Sequence, residues 1–154
     1  AFDTVMFCLS KGLCAPVGSM LVGTRQHIER ARIFRKSLGG GMRQAGILAA
    51  ASLVALDTMT TRLAEDHANA RLLAESLVHV PGVSIDLDGV QTNIVIFRLT
   101  GGKSAPKLVA GLKRRGVLAA NFGPHAIRLV THHDVDRAQC EDAAARIGEE
   151  LAEM

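Results

Sequence analysis

A chain of 154 residues that is 48% hydrophobic and 21% charged carries enough apolar side chain for a core, which excludes a disordered tail. Its net charge of +3 is spread over interspersed cations and acids, and with five Phe and no Trp or Tyr it lacks the basic, aromatic surface of a single-strand nucleic-acid binder. No apolar run is long enough to span a bilayer, since the most apolar segment, 45–56, is broken by Gly46 and Ser52.

In chain order, 4–9 reads as a strand whose apolar run Val5-Met6-Phe7-Cys8-Leu9 stops abruptly at Ser10-Lys11-Gly12. Residues 10–18 form a loop punctuated by Gly12, Pro16 and Gly18, and Ser19–Val22 is a second short strand bounded by Gly23. Thr24 is an N-cap for an arginine-rich helix over 25–37, with Ile28, Ala31 and Ile33 turned inward. Gly39-Gly40-Gly41 is a loop, because three consecutive glycines are costly in any helix or strand. From Ala45 to Leu56 the chain is apolar on nearly every face, the pattern of a fully buried helix. An amphipathic helix over 59–79 follows, with Leu63, Ala70, Leu73 and Leu77 inside, Glu65, Asp66 and Arg71 outside, and Pro81-Gly82 as its stop.

Beyond it the pattern changes. Val83–Leu87 and Asn93–Leu99 read as strands joined around Asp88-Gly89, and Ser104 caps a helix over 105–115 closed by Gly116. Val117–Asn121 and Ala126–Thr131 are strands around Gly123-Pro124, and Asp134 caps a last helix with the stripe Cys140, Ala144, Ile147 and Leu151. The order β-β-α-β-β-α predicts a small α+β layer, one sheet with helices on a single face. The predicted domains are 1–79 and 80–154. Cys8, Cys14 and Cys140 are odd in number and far apart, as expected of reduced thiols in a cytoplasmic protein. The start at Ala1, with no initiator Met and a strand almost at once, leads us to expect the C-terminal portion of something longer.

Lysine is strongly hydrated, so Lys11 at the end of an apolar strand stands out. In an open α/β sheet the carboxyl ends of the strands border the ligand crevice, where a desolvated lysine can attack a carbonyl to form a Schiff base. The plainer alternative is a solvated lysine in a connection. Arg128 follows Ile127 on a short apolar strand, where its rigid guanidinium fork either binds a carboxylate bidentately or faces water. Gly39–Gly41 lets main-chain N–H groups approach an anion at the start of the next helix, or serves as a hinge. No metal site is expected: His132 and His133 are adjacent on a strand and point to opposite faces, and His27, His67, His79 and His125 show no ligand spacing.

Three blocks, in this order, are specific: Ser10-Lys11-Gly12-Leu13-Cys14-Ala15-Pro16-Val17-Gly18-Ser19, then Gly39-Gly40-Gly41-Met42-Arg43-Gln44-Ala45-Gly46, then Ile127-Arg128-Leu129-Val130-Thr131-His132. Together with Arg35-Lys36, Arg62-Leu63 and Glu65-Asp66-His67, they make nearly the whole chain resemble the low-specificity L-threonine aldolases, fold type I pyridoxal-phosphate (PLP) enzymes. The resemblance implies an α/β fold: part of an aspartate-aminotransferase-like large domain, 1–79 with a linking helix, followed by a small α+β domain, 80–154. It implies pyridoxal 5'-phosphate as cofactor, held covalently by Lys11. Arg43 and Lys36 are implied to meet the cofactor phosphate, across to a neighbouring subunit, and Arg128 to grip the substrate α-carboxylate, with His132 in support. Ser10 either bonds the phosphate or shapes the turn. The implied reaction is retro-aldol cleavage of L-threonine or L-allo-threonine to glycine and acetaldehyde. The implied partners are a small β-hydroxy amino acid and identical subunits in a dimer of dimers, with neither nucleic acid nor membrane.

The chain departs from that family at Cys14, where the family usually has glycine, and a side chain there strains a turn that needs positive φ. In such enzymes the carboxylate facing the pyridine nitrogen, the histidine stacked on the ring and the main phosphate-binding turn lie upstream of the lysine block, so this chain alone is expected to be inactive. Two other readings compete: a different fold type I lyase or transaminase-like enzyme, and a non-catalytic assembly fragment.

Overall fold

The computed structural model describes residues 2–154. Its contacts divide the chain into two compact units, one ending at Leu63 and the other formed by Ala64–Met154. That division comes earlier than residue 79, because the helix between carries the buried stripe Ala70, Leu73, Ala74 and Leu77 of the second core.

In the first unit, β1 (Thr4–Cys8) and β2 (Ser19–Gly23) form an antiparallel hairpin in register from Thr4↔Gly23 to Cys8↔Ser19. Helix α1 (Arg25–Ser37) begins at Thr24, whose hydroxyl accepts from the His27 N–H at 3.3 Å, as its sequence predicts. Helix α2 (Gly46–Met59) follows the triglycine loop. The core here is small: Leu9, Leu13, Ala15 and Ala55, with Phe7, Leu56, Met59 and Leu63 packed against it. Two expectations fail. Ile33 is exposed, because it lies about 140° around the helix from Ile28 at 100° per residue. Helix α2 buries only Ala55, and Ile47, Leu53 and Val54 are 85%, 61% and 61% exposed. Its all-round apolarity is real, but no layer among the described residues covers it.

The second unit takes in most of α3 (Leu63–Leu77), then β3 (Val83–Ser84), β4 (Ile94–Leu99), α4 (Ala105–Arg114), β5 (Ala120–Asn121), β6 (Ala126–Val130) and α5 (Arg137–Ala152). The sheet runs β3-β4-β6-β5, antiparallel throughout. Strand β4 alternates strictly, so Val95, Phe97 and Leu99 enter a core with Ile127, Leu129 and the apolar stripes of α3, α4 and α5. The helices therefore share one face, as predicted, and Ile94, Ile96, Arg98, Arg128 and Val130 lie on the other. The outer strands are shorter than expected, with two residues each. Helix α5 starts at Asp136 and not Asp134: Asp136 Oδ1 accepts from the Gln139 N–H at 2.8 Å, and Gln139 Oε1 accepts from the Asp136 N–H at 2.9 Å. Asp66, expected outside, is fully buried.

Candidate active site

Lys11 sits in a tight turn beyond the end of β1, where the Cys14 N–H donates to the Lys11 carbonyl at 2.8 Å. The turn is fixed from both sides. The Leu9 N–H donates to the Gly18 carbonyl and the Ala15 N–H to the Leu9 carbonyl, each at 3.0 Å, which closes the loop on itself. Leu9, Leu13 and Ala15 then point into the small core with Ala55, which leaves Ser10 and Lys11 exposed. Gly12 lies close to Leu63, and a Cβ there would come within 2.9 Å of Leu63 Cδ2, so that side chain would have to shift. The Lys11 ammonium makes no hydrogen bond or ion pair among the described residues. Lys11 itself is exposed, so the desolvation expected for it is not seen among the described residues.

Lys36, in the last turn of α1, folds back over the triglycine loop: its Cδ and Nζ would lie 2.9 Å and 3.4 Å from a Cβ on Gly41. A side chain on Gly41 would displace that stem. Arg43 follows in the exposed segment before α2. The N-cap of α2, Ala45, offers no side-chain bond, so the first-turn N–H groups of a helix preceded by a cation lack a side-chain acceptor. Lys36, Arg43 and this helix start share one loop, and no hydrogen bond or ion pair joins them to Lys11 or Ser10 among the described residues.

Arg128 lies on β6 in the second unit, opposite Ile96 of β4 and Ala120 of β5, on the helix-free face. His132 Nδ1 lies 3.4 Å from Asp134 Oδ2 in the turn after β6, and no hydrogen bond or ion pair joins it to Arg128 among the described residues. Asn93 is structural, its Nδ2 donating to the Thr131 carbonyl at 2.8 Å. Thr131 in turn donates its hydroxyl to the Asp66 carbonyl at 2.6 Å. The sequence reading missed Arg98, which the β4–β6 register brings to the face that bears Arg128. A strand pattern alone shows the parity of Arg98 but not its partner. All three cysteines are free thiols; Cys14 is exposed, and burial, then Asp136 and Glu141, push the Cys140 thiol up. No group of three or more metal-ligating side chains occurs among the described residues, and no single helix there is long and apolar enough to cross a membrane.

The beta-eliminating lyase family model matches residues 1–100. Low-specificity L-threonine aldolase 1 of Arabidopsis thaliana is 44% identical over 137 residues, which is 88% of this chain and 38% of that protein. The low specificity L-threonine aldolase of Escherichia coli (strain K12) is 48% identical over 143 residues, 93% of this chain and 41% of that protein. Among solved structures, SPT with a PLP internal aldimine matches with a TM-score of 0.78 at 19% identity, covering 99% of this chain and 40% of that one. That likeness concerns the fold, which is part of the aspartate-aminotransferase-like architecture, as the sequence predicts. The chain spans about two fifths of the length of the curated relatives it matches.

Proposed function

The chain belongs to the beta-eliminating lyase family, and from that premise we propose that it supplies the lysine and the substrate-binding arginine of a PLP-dependent aldehyde-lyase. The proposed reaction is cleavage of L-threonine or L-allo-threonine to glycine and acetaldehyde. The observation that carries this reading is 48% identity to the E. coli aldolase over 93% of this chain.

The residues present suit the cofactor. A lysine amine stands exposed and unpaired on an anchored turn, and a second loop gathers Lys36, Arg43 and a helix start without a side-chain cap, a donor set suited to a phosphate. On this reading Lys11 holds pyridoxal 5'-phosphate with Ser10 at its phosphate, while Lys36 and Arg43 meet the cofactor phosphate across to a neighbouring subunit. Bound there, the cofactor supplies a sink for the electron pair released as the Cα–Cβ bond breaks. Arg128 grips the α-carboxylate and so fixes the orientation of the substrate about Cα.

Turnover requires more than these residues. The chain spans 41% of the E. coli relative, and we assign the remaining groups to the portion outside the match and to a neighbouring subunit in a cytoplasmic dimer of dimers. The test combines the purified chain with the portion of the E. coli relative outside the matched region, then adds PLP and L-threonine. Glycine and acetaldehyde in equal amounts, with no amino transfer to a keto acid, are expected. Amino transfer in their place would move the chain to a transaminase-like enzyme, and neither activity would leave it an assembly fragment.

A further inference from the structure

The helix-free side of the second unit carries a hollow of about 560 Å3, a volume in the range of small-ligand sites, and the proposed reaction uses none of its lining residues. Its walls come from the β3–β4 connection and the outer face of β4, and Ser84, Asp86, Gln91, Ile94, Ile96 and Arg98 are among its side chains. Alternation along the chain puts them there. Val83, Ile85 and Leu87 pack against the core, so Ser84 and Asp86 turn to the opposite side. Arg98 stands opposite Ser84 in the β3–β4 ladder, and Ile94 and Ile96 precede it on the same face of β4.

The rim is pinned. Arg71 Nη1 donates to the Leu87 carbonyl at 2.8 Å, and the Val90 N–H donates to the same carbonyl at 3.2 Å. The Asp88 N–H donates to Asp86 Oδ1 at 3.1 Å, which fixes that carboxylate while engaging one of its oxygens. A Cβ on Gly89 would lie 3.4 Å from the other oxygen, Oδ2, so glycine leaves it uncovered on that side. An acid and a guanidinium thus border one hollow without neutralising each other: neither Asp86 nor Arg98 enters an ion pair among the described residues. Two solvated surface charges would need nothing more, but here they share the hollow with the exposed apolar side chains of Ile94 and Ile96. A cation, an anion and an apolar floor match the three parts of one small molecule.

We propose that this hollow binds a free α-amino acid with an aliphatic side chain, Arg98 taking its carboxylate, Asp86 its ammonium group, and Ile94 and Ile96 its side chain. Each charged end gains a charge-assisted hydrogen bond, and the side chain leaves water. A residue inside a peptide carries neither charge at its α-carbon, so the ligand is the free amino acid. The inference goes beyond the lyase reading and does not rest on Lys11.

The test titrates the full 154-residue chain, without PLP, with L-leucine, 4-methylpentanoate and 3-methylbutylamine. The second lacks only the ammonium group of leucine and the third only its carboxylate. Leucine is expected to bind about tenfold more tightly than either, the gain of one further charge-assisted contact, and to shift the methyl resonances of Ile94 and Ile96. R98Q should bring leucine down to the affinity of the amine, and D86N to that of the acid. Both positions are exposed, so the amide leaves the core untouched. Glycine, which has no side chain to lay on the isoleucines, should bind about tenfold more weakly than leucine. Equal binding of the three leucine-derived probes, an unaltered ratio in either variant, or glycine binding as tightly as leucine would each overturn the proposal. So would a preference for leucine that leaves the Ile94 and Ile96 methyls unshifted.

Discussion

Cys14 adopts φ 59°, in the left-handed region that residues with a Cβ rarely enter, while its N–H closes the Lys11 turn. The sequence reading anticipated this strain because the threonine aldolases it resembles usually carry glycine there. Glycine removes the Cβ clash, worth about 1–2 kcal/mol, and loses part of the gain to greater backbone freedom in the unfolded chain. C14G should therefore be more stable than C14A by about 1 kcal/mol in urea denaturation followed on the first unit. Arg128 makes a prediction of another kind. A bidentate grip on the substrate is worth about 1.5–3 kcal/mol, so R128Q in the reconstituted enzyme should raise KM for L-threonine at least about tenfold, with a smaller fall in kcat. The lysine and Arg128 were legible from local motifs. Arg98 was not, because its relation to Arg128 exists only through strand register.

Between α4 and α5, one glycine and one buried acid fix the helix contact. Glu150 accepts from Arg115 Nε at 2.7 Å and from Arg114 Nη2 at 3.5 Å, while Arg115 also donates to Glu149 at 3.0 Å and Glu153 at 2.6 Å. Those bonds, to Glu153 first and Glu150 next, hold the Arg115 guanidinium above its usual range. A Cβ on Gly111 would run into the Glu150 side chain. G111A should destabilise the second unit by about 1–3 kcal/mol as overpacking, and most of that cost should vanish in an E150A background, a coupling that a double-mutant cycle in denaturant reads directly. The elements themselves were mostly legible, because alternation in β4 and the 3.6-residue period in α5 are strong signals. Where the reading failed, a second signal was present: Asp66 lies four residues before Ala70 on the inner stripe, and Gln139 completes a capping box with Asp136 alone. In both places spacing carries the structural signal, and the charge of Asp66 and the earlier aspartate Asp134 point away from it.

Burial is uneven over the whole molecule. The second unit has a continuous core from Ala70 to Leu151, whereas the first rests on Leu9, Leu13, Ala15 and Ala55 and exposes most of α2. Amide exchange should follow this division, slowest in β4, β6 and α5 and orders of magnitude faster in α1 and α2; comparable protection in the two units would refute it. The apolar character of α2 was legible and its exposure was not, since burial depends on what lies opposite and not on the helix. The central claim is that Lys11 is the lysine that carries the cofactor. It is tested by combining the chain with the unmatched portion of the E. coli relative, adding PLP, reducing with borohydride and mapping the modified peptide. The account predicts a single stable adduct on Lys11, with K11A losing both adduct and glycine production; an adduct on another lysine, or K11A as active as the wild type, would contradict it.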